Sequence, residues 1–503
     1  MNSTPRVKAG LAAGALLLTG SLIGWSAAAG GAASAAPAPG APATATVAEG
    51  AASRTIGGAV DSYASVVEKV SPAVVTIRSE RRVSRVSAQG NPFGGDDSPF
   101  RDFFGERFGR PDPQPRREAG LGSGVIVRPD GYILTNHHVV DGATTVKVDL
   151  NDGRTLDAKV IGSDAASDLA VIKVDGSNLA TLTLADSNNV RVGDVALAIG
   201  NPLGVGQTVT MGIVGAKGRA TGLGDGSFED FIQTDAPINR GNSGGALVST
   251  RGELIGINSQ ILSPSGGNIG IGFAIPANMA KNVMAQLIDH GQVRRGMLGV
   301  TVQPVTSDIA RSLGLEKVQG ALVNAVQPGS PAEKAGLRRG DVITAVNGSA
   351  MKDGNSLRNE ISQLMPGSEV KVTFTRGGKE DTVGVKLAEL TAQPEGEGRD
   401  NENGGPAEGT TFGMTVEPLT RETARQLDVD ATTGVVVTRV QPGSNAADAG
   451  LRAGDVIEEV DRQPVGSSDA LRDALAKGTE PALLLVHRGE TTLFVTLQRG
   501  QSR

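Results

Sequence analysis

Two short stretches of the sequence contain residue types that together perform acyl transfer. The stretch RGNSGGAL, residues 240–247, places a serine between glycines, which let the backbone turn tightly and let a substrate approach the hydroxyl. Such a turn also aims the backbone N–H groups of Gly241 and Ser243 at one point, as an oxyanion hole requires. The stretch is also consistent with a simple glycine-rich turn between strands, so its chemistry depends on finding a base.

Four histidines are available as that base, and two of them are adjacent in TNHHVVDG, residues 135–142. His290 ends a predicted helix, where an imidazolium is favoured as a cap, and His487 lies far along the chain. The segment around His137 and His138 is predicted to be extended, which points the two side chains to opposite faces. We therefore expect no shared metal ion, and at most one of the two imidazoles faces a catalytic partner.

A third residue is needed to orient the imidazole, and a buried carboxylate is the usual choice. Asp168, in SDLAVIKV, directly precedes an apolar run and is expected at the edge of the core. Asp164 and Asp175 are alternatives, but their turn-like surroundings favour a solvated turn role. The chain order His, Asp, Ser matches one of the known triad orders.

These residues must be positioned by strands, because short Val- and Ile-rich runs separated by Gly, Asn and Asp fill residues 59–285. This spacing indicates an antiparallel barrel or sandwich. One long helix is predicted at ANMAKNVMAQLIDHG, residues 277–291, ending at Gly291.

The composition narrows the functional classes. The 503 residues are too many for one core, and a net charge of −6 gives no reason to expect a nucleic-acid partner. The chain has no cysteine, which excludes disulfides, thiolate metal sites and a cysteine nucleophile.

The N-terminus indicates export. Residues 1–35 combine Arg6 and Lys8 with a long uncharged run and small residues suited to cleavage, and they are interpreted as a secretory signal. An uncleaved membrane anchor is the alternative, and either places the rest of the protein outside the cytoplasm. Residues 36–58 are interpreted as a linker.

A phenylalanine-rich insertion at residues 89–118 holds five of the eleven phenylalanines. It either folds onto its own domain or forms an intersubunit contact, because a mostly polar loop has little core of its own for five aromatic rings.

The C-terminal third contains an internal repeat. Residues 320–346 match residues 434–460 at 17 of 27 positions, which predicts two copies of one module. The acidic, glycine-rich residues 391–408 are predicted to be a flexible linker between modules spanning 295–390 and 409–500.

Five ordered blocks of the sequence resemble the HtrA/DegP family of chymotrypsin-like serine proteases: TNHHVVDG, SDLAVIKV, AIGNPLG, IQTDAPINRGNSGGAL and GIGFAIP. The two repeats resemble PDZ domains, which follow the protease domain in that family. The resemblance implies a mainly β protein, with a chymotrypsin-like double barrel over residues 59–285 and two PDZ domains.

The resemblance also implies roles for individual residues. The histidine directly before Val is the base in this family, so His138 would be the base, Asp168 its orienting carboxylate and Ser243 the nucleophile. The oxyanion hole would use the amides of Gly241, Asn242 and Ser243. An apolar primary specificity pocket for small or medium aliphatic side chains would be lined by Ile238, Ile261 and Ile271. The loop 217–229, with Arg219, resembles the family's activation loop.

Two positions near the nucleophile depart from trypsin-like enzymes. Pro237 stands where those enzymes carry the Asp that binds Lys or Arg, so cleavage after basic residues is not expected. Asn242 stands where they carry an Asp that pairs with a newly cut amino terminus. Because Asn cannot form that ion pair, we expect activation by loop ordering.

PDZ domains bind extended peptides by strand addition and hold the terminal carboxylate on backbone amides. The matching loops contain Leu298 and Gly299 in the first copy and Phe412 and Gly413 in the second, although Leu298 and Phe412 are also consistent with core positions. The resemblance implies that the partners are substrate proteins and their C-termini, and that the chain assembles as a trimer or a multiple of trimers. It implies no cofactor and no metal ion.

Two functions follow. The first is an ATP-independent endopeptidase of protein quality control that cleaves unfolded proteins outside the cytoplasm. The second is a holdase chaperone or peptide-binding protein with weak or conditional proteolysis.

Overall fold

The structure is a computed structural model. It describes residues 62–82, 117–201, 206–221, 227–239, 241–261, 268–391, 412–429, 431–478, 480–489 and 491–499. Four sequence predictions lie wholly or largely outside these residues: the signal or anchor (1–35), the linker (36–58), the phenylalanine-rich loop (89–118) and the acidic linker (391–408).

The first barrel closes from six antiparallel strands in the order β1-β2-β3-β6-β5-β4. In β4 Val146 and Val148 are buried while Thr145 and Lys147 are exposed, which is the alternation that the sequence predicts for a half-buried strand. The strands are β1 (Val74–Arg82), β2 (Arg117–Ile126), β3 (Tyr132–Thr135), β4 (Thr145–Asp149), β5 (Thr155–Asp164) and β6 (Leu169–Val174).

The second barrel repeats the same topology, because its order β10-β11-β12-β9-β8-β7 is the same path followed from the other end. The strands are β7 (Val195–Gly200), β8 (Thr208–Arg219), β9 (Phe231–Thr234), β10 (Ala246–Ser249), β11 (Leu254–Ile261) and β12 (Gly272–Pro276). The expected double-barrel architecture is confirmed.

Among the described residues, three α-helices accompany the barrels: α1 (Ala64–Val70), α2 (His137–Val140) and α3 (Ala277–His290). The prediction of a long helix ending at Gly291 is confirmed, since Gly291 is its left-handed C-cap with φ 72°. The buried residues Val283 and Leu287 of this helix join the core that both barrels share.

The first repeat domain is built on the sheet β14-β15-β16-β18-β19 with β17 beside β16, and a separate pair β13-β20. Its strands are β13 (Gly296–Met297), β14 (Val300–Pro304), β15 (Ala321–Val326), β16 (Val342–Val346), β17 (Ser349–Ala350), β18 (Glu369–Arg376), β19 (Lys379–Lys386) and β20 (Ala388–Glu389). Its helices are α4 (Ser307–Leu313), α5 (Pro331–Lys334) and α6 (Gly354–Ser362).

The second repeat domain has the same sheet, β21-β22-β23-β25-β26 with β24 beside β23. Its strands are β21 (Met414–Pro418), β22 (Val435–Val440), β23 (Val456–Val460), β24 (Gln463–Pro464), β25 (Ala482–Arg488) and β26 (Thr491–Leu497). Its helices are α7 (Arg421–Gln426), α8 (Asn445–Asp448) and α9 (Ser468–Ala476).

A buried ion pair explains part of the identity between the repeats. Asp341 is fully buried and accepts from Arg376 Nε and Nη2 at 2.6 and 2.7 Å. Asp455 is equally buried and accepts from Arg488 Nε and Nη2, both at 2.8 Å. The shared GLRxGD sequence supplies the aspartate, whose charge would be costly to bury without the arginine.

The two repeat domains pack against each other through an apolar cluster. Leu313 and Leu322 of the first domain lie with Leu485 and Phe494 of the second. Gln303 reinforces the contact, because its side chain donates to Phe494 O at 3.0 Å and accepts from Phe494 N at 2.8 Å.

Membrane-spanning helices and metal-ligand clusters are both absent from the described residues. No helix among them is long and apolar enough to cross a bilayer. No group of three or more His, Cys, Asp or Glu residues among them is arranged to hold a metal ion.

We predict that Arg376→Ala destabilises the first repeat domain by about 1–3 kcal/mol, because the buried Asp341 carboxylate loses its guanidinium partner and keeps the Arg338 N–H. Native-state hydrogen exchange of the β16 and β18 amides measures this locally. Lys386→Ala, at an exposed position of β19, is the control and should change the same free energy by less than about 0.5 kcal/mol. Equal exchange in the two variants would show that the ion pair contributes little.

Candidate functional site

The carboxylate of Asp168 lies at the centre of the candidate site. Asp168 follows the 3₁₀ turn Ala165–Ser167 and takes a left-handed backbone conformation with φ 52° before β6 begins. Its Oδ1 and Oδ2 lie 2.8 and 3.0 Å from His138 Nδ1, and Oδ1 also accepts from the His138 backbone N–H at 3.2 Å. Because an ionised carboxylate only accepts hydrogen bonds, His138 Nδ1 carries the proton when the ring is neutral, and Nε2 is the ring nitrogen that can accept a proton.

The histidine pair differs from the sequence prediction in its backbone. Residues 137–140 form one helical turn, α2, and are not extended. Strand β3 ends at Thr135, and beyond it Asn136 Nδ2 and the His137 N–H both bond the Asp168 carbonyl, at 2.9 and 3.2 Å. These bonds turn the chain away from the sheet.

The two imidazoles still point in different directions, as predicted, because successive residues of a helix differ in direction by roughly 100°. His138 turns to Asp168, with only 11% of its side chain exposed. His137 Nε2 lies 3.7 Å from Asp141 Oδ1 instead, and 23% of its side chain is exposed.

Ser243 lies in the turn before β10, in the second barrel, and is almost fully buried. Its hydroxyl donates to the carbonyl of Ser259 at 3.0 Å. The Ser259 hydroxyl in turn donates to Asp168 Oδ2 at 2.9 Å. Ser259 therefore connects the predicted nucleophile to the predicted carboxylate.

Sequence reasoning missed Ser259. It lies in β11, whose sequence LIGINSQI gives no sign that this serine differs from other polar residues of a strand. Its burial, with 1% of its surface exposed, is visible only in the folded chain.

The turn that precedes Ser243 contains Gly241 and Asn242, which are predicted to belong to the oxyanion hole. Asn242 N–H donates to Asn239 O at 2.9 Å, closing a four-residue turn with Gly241 at its third position. Gly241 has φ 99°, which is typical of a type II turn and is strained for residues other than glycine. Asn242 itself is 1% exposed, so its side chain faces the protein interior.

The three isoleucines of the predicted specificity pocket are not equivalent. Ile238 and Ile261 belong to one core cluster of the second barrel, with Ile238 almost fully buried. Ile271 is partly buried against the larger shared core. Asn268 Nδ2 donates to Ile238 O at 3.2 Å, and its Oδ1 accepts from Gly270 N at 2.8 Å, which joins these segments.

The two alternative aspartates behave differently from each other. Asp175 is fully exposed, as the turn prediction requires. Asp164 is not solvated as predicted: its side chain is 11% exposed and pairs with Arg295 Nη1 and Nη2 at 2.9 and 2.5 Å. It also accepts from the backbone N–H and hydroxyl of Ser167 and so caps the turn that ends at Asp168.

The described part of the predicted activation loop contacts both the site and the first repeat domain. The Phe228 N–H donates to Ala166 O at 2.6 Å, in the turn before Asp168. The guanidinium carbons of Arg295 and Arg358 each lie 4.5 Å from the centre of the Phe228 ring. Arg219, by contrast, is exposed at the end of β8.

Helix α6 of the first repeat domain fixes the next residue of this loop. The Asn355 and Asn359 side chains both donate to the Glu229 carbonyl, at 2.9 and 2.7 Å. Burial at this junction raises the pKa of Asp230, to which Glu360 adds repulsion, while Lys217 has its pKa lowered by burial.

The predicted peptide-binding loops occupy equivalent places in the two repeat domains. Leu298 is buried in the core of the first, and Phe412 packs partly buried against the core of the second, so the core interpretation of both side chains fits the packing. Gly299 and Gly413 both have φ 82°, and a Cβ at either position would overlap the side chain of a helix-capping serine, Ser330 or Ser444.

Comparison with known proteins agrees with this architecture. A model of the trypsin-like peptidase domain matches residues 122–257, and models of the PDZ domain match residues 296–387 and 436–488. The HtrA-type protease AlgW with tripeptide superposes with a TM-score of 0.53 at 42% identity, covering 67% of this chain and 100% of that chain.

Two named relatives match over most of their length. The probable periplasmic serine protease do/HhoA-like of Haemophilus influenzae is 42% identical over 451 residues, or 87% of this chain and 92% of the relative. The probable periplasmic serine endoprotease DegP-like of Chlamydia muridarum is 44% identical over 453 residues, or 87% and 89%. With two closed barrels followed by two PDZ domains, the chain belongs to the family of DegP/HtrA-like serine proteases.

Proposed function

We propose that this protein is an ATP-independent serine endopeptidase that works outside the cytoplasm and cleaves unfolded or damaged proteins with a triad of His138, Asp168 and Ser243. The network that runs from His138 through Asp168 and Ser259 to Ser243 is the main support. The location is supported by the word periplasmic in the names of the two relatives.

In the proposed mechanism, Ser243 Oγ attacks the carbonyl carbon of the scissile peptide bond while His138 Nε2 accepts its proton. Before this step the Ser243 hydroxyl must exchange its bond to Ser259 O for one to His138 Nε2. The imidazolium is stabilised by Asp168 and then protonates the leaving amine. A water molecule, activated by the same imidazole, hydrolyses the acyl-enzyme.

The negative charge that develops on the substrate oxygen needs converging N–H donors. We assign these to the N–H groups of Gly241 and Ser243. The Asn242 N–H lies between them but donates to Asn239 O, so the expected role of Asn242 as a third donor does not fit this turn. The positive φ of Gly241 supports this assignment, because it lets the chain turn tightly just before the nucleophile.

The preferred residue before the cleaved bond is proposed to be small or medium and aliphatic. Ile238, Ile261 and Ile271 supply an apolar surface, and Ile238 is close enough to Gly272 that a Cβ there would lie 3.0 Å from its side chain. A pocket this crowded favours residues such as Ala or Val over aromatic or charged ones.

We propose that each PDZ domain binds the C-terminus of a substrate protein by strand addition. Strands β14 and β21 support this role, because each is paired on one side only and so can accept a further strand. The turns at Gly299 and Gly413 directly precede these strands, where the terminal carboxylate would lie. Two solved relatives, both HtrA-type proteases, are complexes with a decapeptide and with a tripeptide.

Assembly into trimers or multiples of trimers is also part of the proposal, with residues 89–118 as a contact between subunits. A holdase role is the second candidate function. It is favoured by the two edge strands, which offer capture sites independent of the triad.

Ser243→Ala should remove hydrolysis of an unfolded protein such as reduced casein, because Ser243 supplies the nucleophile in the proposed mechanism. Product formation is followed by gel electrophoresis and mass spectrometry. Ser249→Ala, at the other end of β10, is the matched control and should retain hydrolysis. Undiminished cleavage by Ser243→Ala would rule out the proposed mechanism, whereas suppression of aggregation that survives this substitution would support the holdase role.

The histidine pair provides an internal control. His138→Ala should lower kcat for a quenched fluorescent peptide by roughly 10⁴- to 10⁶-fold, since triad residues act as a unit. His137→Ala should retain most of the activity, because its side chain turns to Asp141. Reversal of the two results would assign the base to His137.

Gly299→Ala should weaken binding of a labelled peptide with a free C-terminus by about tenfold. The new Cβ, at φ 82°, would overlap the Ser330 side chain, so the loop and its backbone amides would have to move. Fluorescence anisotropy measures the Kd. Gly377→Ala is the control: Gly377 has φ 58° in the hairpin between β18 and β19, with open space around it. Equal effects of the two substitutions would place the peptide elsewhere. Gly413→Ala and Gly489→Ala form the same pair in the second PDZ domain.

A further inference from the structure

Ser123, in β2 of the first barrel, contacts the nucleophile turn of the second barrel through both its side chain and its backbone. It is fully buried. Its hydroxyl donates to Gly241 O at 2.7 Å, and its backbone N–H donates to Ser243 O at 2.8 Å. The hydroxyl oxygen also accepts from Asn201 N at 2.9 Å, so both of its hydrogen-bonding roles are used.

These two bonds fix alternate peptide groups of the turn. The carbonyl of Gly241 belongs to the peptide group before Asn242, and the carbonyl of Ser243 belongs to the one after Ser243. Between them lies the peptide group that carries the Ser243 N–H, a proposed oxyanion donor. Because each peptide group is planar, holding both neighbours leaves this N–H little freedom to rotate.

The carbonyl bond also restricts the preceding residue. Fixing Gly241 O fixes ψ of Gly241, whose φ is already 99°. The Gly241 N–H, the other main proposed donor, is therefore part of a turn whose second half is anchored to the first barrel. A donor held in place before the reaction contributes more to catalysis than one that must reorganise.

Ser123 is itself held by the segment that leads to the base. Its carbonyl accepts from Thr135 Oγ1 at 2.7 Å, and Thr135 is the last residue of β3, three positions before His138. Asn201 is fixed as well, since its Nδ2 donates to Thr76 Oγ1 at 2.7 Å. The turn is thus anchored to the parts of the first barrel that carry the imidazole.

We propose that Ser123 is a positioning residue for the oxyanion hole, and that its hydroxyl keeps the amides of Gly241 and Ser243 aimed at the substrate oxygen. The inference rests on the proposed peptidase mechanism. It requires no contact between Ser123 and the substrate, so substrate binding does not depend on it.

The test compares Ser123→Ala, Ser187→Ala, Ser243→Ala and the wild-type full-length chain with a quenched fluorescent peptide that contains a Val–Ala bond. Ser187 is the matched control, because it is also buried in the protease domain and accepts a backbone N–H, from Asn278 at 3.1 Å. Ser123→Ala should lower kcat by about 10- to 100-fold, while KM stays within about twofold of the wild-type value. Removal of a whole oxyanion donor lowers kcat by about 10²- to 10³-fold, so the expected loss is at or below the lower end of that range.

A peptide aldehyde gives a second readout, since its adduct with the nucleophile places an oxygen in the oxyanion hole. The inhibition constant should rise for Ser123→Ala by a factor similar to the fall in kcat, and should not change for Ser187→Ala. Ser123→Cys keeps a weak donor at the same place and should give intermediate values. It also serves as the test variant if the alanine variant does not fold.

The possible outcomes distinguish failure of the role proposed for Ser123 from failure of the peptidase mechanism. A folded Ser123 variant with the kcat and aldehyde affinity of wild type would overturn the positioning role. The role would also be overturned if Ser123→Ala and Ser187→Ala lost kcat and aldehyde affinity equally. If wild type and Ser243→Ala hydrolyse the peptide equally, the peptidase mechanism itself fails, whatever Ser123 does.

Discussion

The hydrogen bonds to the Asp168 carboxylate join segments that are far apart in the sequence. His138 reaches it from the first barrel, through both its ring and its backbone N–H, and the Ser259 hydroxyl reaches it from the second. Because the Ser259 carbonyl also accepts from Ser243, this hydrogen-bond network includes residues of both barrels. The roles proposed for these residues all depend on this one carboxylate being held in place.

Asp168 is held in a strained conformation that its surroundings support. A left-handed aspartate costs free energy and persists only where neighbouring contacts compensate for it. Asp164 caps the turn before it, and Arg295, next to the first PDZ domain, pairs with Asp164. Phe228 donates to the same turn while lying between two arginines. The position of the Asp168 carboxylate is therefore linked, through the turn before it, to the contact between the protease domain and the first PDZ domain.

Much of this architecture could be predicted from the sequence, for physical reasons. Alternating Val and Ile runs with glycine turns specify strands wherever one face is buried, and a repeat specifies two copies of one module. The backbone of the histidine pair was predicted wrongly as extended, because Val139 and Val140 have high strand propensity and the bonds from Asn136 and His137 that end the strand are tertiary.

Ser259 and Ser123 could not be found by pattern. Each lies in a strand, where nothing in the neighbouring sequence distinguishes it. Each has a partner more than ninety positions away, in the opposite barrel: Asp168 for Ser259 and Gly241 for Ser123. Asp164 shows the same limit, since its partner Arg295 is 131 positions along the chain. Local sequence predicts elements and turns, whereas hydrogen bonds between distant segments require the folded structure.

The most direct test of the account is to map the serine that reacts with a fluorophosphonate, by mass spectrometry of the labelled full-length chain. Labelling is expected on Ser243 alone, with a rate that falls by about 10⁴-fold in Asp168→Asn, because the imidazole then loses its tautomer and orientation. Labelling of a different serine, or an unchanged rate in Asp168→Asn, would contradict it.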